Sequence, residues 1–169
     1  MRIFLVVVLM VLTAVVLAQR EPVNLLDYKF ITYRVTFEGR SALTVLQVEK
    51  KAEGYEVNYT VKFTVQDEID YEYFSAPYLY IMLSYMNNPG FLPFFQMVDI
   101  DKPATVSVYG AKIVYEGDER VGKYTGKRFS LYTDDEKVFS WVMGKDAELV
   151  LKFEMADQNY SVELVDFRK

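Results

Sequence analysis

The sequence predicts a mainly β protein, an antiparallel meander, sandwich or barrel of eight or nine strands. Two observations predict it. Apolar and polar residues alternate with period two through most of the 169 residues, the mark of a strand with one buried face. Short turn signals separate these runs about every 8–12 residues, as in antiparallel architectures. A third observation sets the one exception: residues 75–98 are apolar without strand periodicity.

The amino terminus reads as an export signal. Arg2 precedes the apolar run Ile3–Leu17, broken only by Thr13, and Val16-Leu17-Ala18 places small residues at the −3 and −1 positions. That order is a secretory signal peptide cleaved after Ala18. The run is shorter than the about 20 residues that a membrane span needs; the alternative is an uncleaved anchor that holds the domain at the membrane face. Residues 1–18 are therefore the signal and 19–169 one β-rich domain, expected to be periplasmic or secreted, with no stable transmembrane span after cleavage.

The strands follow in order. Ile31, Tyr33, Val35 and Phe37 form the first, ending at Gly39. Leu43–Lys50 is its hairpin partner, ending in the Glu53-Gly54 turn. From Tyr55 to Val65 the odd positions are apolar and the even positions polar. Ile69, Tyr71 and Tyr73 resume that face after Asp67, so 55–73 reads as one long curved strand with a bulge near Asp67-Glu68. Thr105–Tyr115 is β-rich, with Gly110 marking a bend or bulge. Gly117-Asp118 turns into Arg120–Tyr132, Asp134-Asp135 into Val138–Met143, and Gly144-Lys145-Asp146 into Glu148–Met155. Asp157-Gln158-Asn159 turns into Tyr160–Phe167.

The central segment has its own logic. Ser75 caps a helix with Pro77 in its first turn, and Asn87-Asn88-Pro89-Gly90 breaks it. A helix apolar on every side must be enclosed or placed against a greasy surface. Tyr78, Leu79, Ile81, Met82, Leu83, Phe91, Phe94 and Phe95 therefore plug an open barrel as core, form a lid over an apolar ligand cavity, or belong to a membrane-dipping or partner-binding loop.

Composition excludes several functions. The chain has no Cys and no His, so disulfides, thiolate chemistry, His-bearing zinc sites and Ser-His or Cys-His hydrolases are out. A formal charge of −5 argues against a nucleic-acid partner. No cofactor and no metal site is expected. Carboxylates are the remaining acid–base groups. Asp99 and Asp101 flank Ile100 and would share a face on a strand, close enough for an oxygen-ligated metal or a glycosidase-like pair. Asp134, Asp135 and Glu136 sit in a turn, and Asp67, Glu68, Asp70 and Glu72 on the long strand; all read as solvated. Gly122-Lys123-Tyr124-Thr125-Gly126-Lys127-Arg128 lacks the spacing of a phosphate loop and reads as a basic strand edge.

Tyr33-Arg34-Val35, Gly122-Lys123-Tyr124, Trp141-Val142, Leu151-Lys152-Phe153-Glu154 and Glu163-Leu164 carry a resemblance. Over roughly Tyr28 to Phe167 the layout resembles the exported bacterial half-barrel proteins around the lipoprotein carrier LolA and receptor LolB, above all their uncharacterised periplasmic members. The resemblance implies a strongly curved antiparallel sheet, a half-barrel, around one central helical or loop segment. It implies a cavity that can take acyl chains, and no catalytic residues.

The sequence reading is thus an exported, non-enzymatic binding or carrier protein for an apolar ligand such as a lipid. Two alternatives stand beside it: a structural or interaction protein of the cell envelope with a filled core, and an enzyme using Asp99 and Asp101.

Overall fold

Nine antiparallel strands form one open sheet in the computed structural model. It describes residues 24–37, 39–63, 94–95, 97–108, 110–144, 149–155 and 159–169. The strands are β1 (Phe30–Phe37), β2 (Arg40–Lys51), β3 (Gly54–Phe63), β4 (Val106–Val108), β5 (Ala111–Val121), β6 (Tyr124–Thr133), β7 (Glu136–Gly144), β8 (Val150–Met155) and β9 (Tyr160–Arg168). The order across the sheet is β3-β2-β1-β9-β8-β7-β6-β5-β4. The last strand therefore pairs with the first, and two meanders meet along β1–β9. The signal peptide and the helix expected after Ser75 lie outside the described residues, as does the long strand beyond Phe63.

Turn chemistry sets the hairpins. Phe37 pairs with Arg40 across a two-residue turn that contains Gly39, whose φ of 80° suits glycine. Asp134 and Asp135 join β6 to β7 with φ of 51° and 62°, both left-handed as a mirror-image hairpin turn requires. Two sequence readings are corrected here. Gly110 does not bend one strand: Val108 pairs with Ala111, so it ends β4 and opens β5. Gly117-Asp118 is not a turn. It lies inside β5 beside a bulge between Tyr115 and Gly117, and the turn comes later, where Val121 pairs with Tyr124 around Gly122. Glycine at positive φ serves a bulge as well as a turn.

One face of the sheet carries the core. Tyr115, Phe129, Trp141, Phe153, Val162, Val35, Ala42 and Phe63 follow one another as directly paired residues across eight strands. Phe129, Phe153 and Val35 are fully buried. β6 and β9 are three places apart in the sheet order, about 14 Å in a flat sheet. Their side chains nonetheless meet: Tyr124 and Phe167 lie 5.4 Å apart between ring centroids, and Lys123 Nζ reaches Asp166 Oδ1 at 2.6 Å. Gly126 and Gly144, paired across β6 and β7, leave room for Leu151: a Cβ on either would lie 2.9 Å from one of its methyl carbons.

The periodicity of β3 is right in phase but not in burial. Tyr59, Val61 and Phe63 are half-buried, whereas Tyr55 and Val57 are 50% and 53% exposed. The β1 ladder ends where Phe30 pairs with Gln47, so the β2–β3 hairpin runs past it, and among the described residues no strand covers its tip.

Candidate functional site

Trp141 is the centre of the apolar face. It is 1% exposed and boxed by Phe95, Phe129 and Phe139, with ring centroids at 5.5, 5.7 and 5.4 Å. Among the described residues, its indole Nε1 has no hydrogen-bond partner. Burying a polar group unpaired costs about 1–3 kcal/mol, and buried Trp N–H groups usually find an acceptor.

Of the residues that sequence reasoning placed in a plug or lid, Phe94 and Phe95 are on this face. Phe94 is half-buried, edge-on to Phe139 at 6.1 Å. Phe95 is 4% exposed and also meets Phe153 at 6.3 Å. Met97, Val98 and Ile100 continue the cover and are buried. Tyr78, Leu79, Ile81, Met82, Leu83 and Phe91 lie outside the described residues.

The carboxylate pair does not form. Asp99 and Asp101 are not on a strand. Asp99 Oδ1 accepts hydrogen bonds from the backbone N–H groups of Asp101 at 2.8 Å and Lys102 at 3.1 Å, which makes it a local turn cap. Among the described residues, no cluster of carboxylates is arranged to hold a metal ion.

The opposite face holds an ion-pair network that sequence reading missed. β6 is an interior strand, so its basic residues do not guard an edge. Arg128 Nε donates to Glu116 at 3.0 Å, Nη1 to Glu119, and Nη2 to Glu154 and Ser140 Oγ, each at 2.8 Å. Lys137 adds a bond to Glu116 at 3.0 Å. Lys152 bonds Glu154 at 2.7 Å and Glu119 at 3.2 Å. Val142 lies between Arg128 and Lys152 in register and is fully buried, the cover that long charged side chains give an apolar neighbour. Partial burial pushes the Glu116 carboxyl up, but hydrogen bonds from Lys137 and Arg128 outweigh it and hold it at about 2. Burial likewise raises Glu154, and Lys152 and Arg128 more than reverse it. These carboxylates are ionised and engaged, so none is poised as a general acid. A groove of ≈ 670 Å³ beside the network is lined by Thr36, Arg128, Lys137, Ser140, Glu154 and Ser161, among others.

The only sequence signal for this network was its composition: acidic residues on β5 and β8 and basic residues on β6. Register decides which of them meet, and register was not readable.

Comparison with family models, with curated proteins and with solved structures gives no match. Among the described residues, no helix is long and apolar enough to cross a membrane.

Proposed function

We propose that this chain is an exported, non-enzymatic binding or carrier protein for an apolar ligand such as a lipid acyl chain. The single observation that carries the reading is the indole N–H of Trp141 at the centre of an aromatic sheet face, for which no described residue supplies an acceptor. A ligand carbonyl or carboxylate oxygen would satisfy that donor while its chain lies against Phe129, Phe139 and Phe153. The approach of Tyr124 on β6 to Phe167 on β9, at 5.4 Å between ring centroids, supports a half-barrel around that ligand. Phe95 sits over Trp141 and would have to swing aside for the ligand to enter.

Mass spectrometry of solvent extracts from the purified protein tests this. The reading expects a stoichiometric lipid species. A lipid-free protein that also fails to take up added fatty acid would contradict it.

A second reading has its own support. Phe95 already packs on Trp141 and Phe153 at ring-contact distances. A filled core of that kind suits a structural or interaction protein of the envelope, which needs no ligand.

A further inference from the structure

We propose that the outer edge of β3 binds a second copy of this chain, by antiparallel strand pairing across a twofold axis through Tyr59. Among the described residues, nothing pairs with that edge: β3 is the terminal strand of the sheet. It is ten residues long, whereas β4, at the other margin, has three. A short edge is self-protecting, and a long one with exposed apolar residues is a template for another strand. Tyr55 and Val57, about half exposed, are such residues. The hairpin tip that carries them projects past β1, where no described strand covers it.

The sequence of β3 is self-complementary in one register. With Tyr59 opposite its own symmetry mate, Tyr55 faces the partner's Phe63 and Val57 faces the partner's Val61. Glu56 faces the partner's Lys62. Symmetry repeats each contact, as a twofold interface demands. Opposed residues of antiparallel strands share a face. The exposed Tyr55 and Val57 therefore come to lie beside Phe63 and Val61, which are half-buried in their own subunit, and the two apolar faces become continuous. Moving the axis to Asn58 sets Glu56 against Thr60. Moving it to Thr60 leaves Glu56 opposite no described residue. Among the described residues, only the Tyr59 register pairs the charges.

Sedimentation velocity of the purified protein over a concentration series tests the proposal. A dimer is expected. Lys62→Glu sets like charges opposite each other twice, and should weaken the dissociation constant about tenfold. The charge swap Glu56→Lys with Lys62→Glu should restore it. Both side chains are exposed, and unchanged thermal melts of the variants at low concentration would show that folding is intact. A monomer at every concentration, a dimer indifferent to Lys62→Glu, or a charge swap that restores nothing would each overturn the proposal.

Discussion

Phe153 is fully buried and touches the rings of Phe95, Phe139 and Tyr160 within 6.3 Å. Truncating it removes a large apolar group from a face with few places to collapse. Phe153→Ala should cost about 3–5 kcal/mol in urea unfolding. Trp141→Phe is different in kind. It shrinks the side chain but also removes a donor that no described residue satisfies, so the two effects oppose. The stability loss should stay below about 1.5 kcal/mol, while fatty-acid affinity falls because the one polar anchor is gone. Equal affinity in the variant would detach Trp141 from binding. That this residue lies in a strand was legible in the sequence, within Val138–Met143. Its missing partner was not, because hydrogen bonding depends on which neighbours surround the indole.

At the scale of elements, turns and ion pairs make separate claims. Asp134 and Asp135 both adopt left-handed conformations, which cost an ordinary residue about 1–2 kcal/mol each and Asn or Gly less. Replacing the pair by Asn-Gly, the preferred residues of this turn, should raise stability by about 1 kcal/mol in thermal unfolding. The Arg128 network ties β5, β6, β7 and β8 together through Glu116, Glu119, Ser140 and Glu154. Its acid sensitivity follows in sign from Glu116, whose pKa falls from 4.5 to about 2 on folding. A carboxyl depressed by folding stabilises the protein fully above its unfolded value and loses that contribution as protons bind. Stability should therefore hold above about pH 4.5 and decline toward pH 2, a decline that Glu116→Gln reduces in chemical denaturation across that range. Most elements were readable. The alternation of Leu149, Leu151, Phe153 and Met155, and the turns at Gly39 and at Asp134-Asp135, marked β8 and two hairpins. Glycine misled at 117, because a bulge and a turn ask the same backbone freedom of it. Periodicity misled at Tyr55 and Val57, because it reports which face a residue is on and not whether anything covers that face.

At the scale of the whole molecule, one open antiparallel sheet presents an aromatic face and an ion-paired face, and the two divide the work. Charges clamp the strands from outside, and rings make the inner surface. The close packing of β6 on its neighbours depends on Gly126, where a Cβ would meet the Met143 carbonyl and crowd Leu151. Gly126→Ala should cost about 1–3 kcal/mol, the usual range for overpacking, read as a lower midpoint in urea. The sequence supplied the antiparallel β class and the approximate strand count. The path of the sheet depends on the β1–β9 closure, a pairing between the two ends of the domain that no local pattern encodes.

The chain contains a single Trp, so its fluorescence reports on the proposed site and nowhere else. Titration with a fatty acid brominated along its chain tests the central claim most directly, since bromine quenches an indole only at close range. Saturable quenching of Trp141, reversed by excess unbrominated fatty acid, is the result predicted for a ligand lying on the aromatic face. Fluorescence unchanged through the titration, with lipid absent from the purified protein, would contradict the account and leave the filled-core envelope protein in its place.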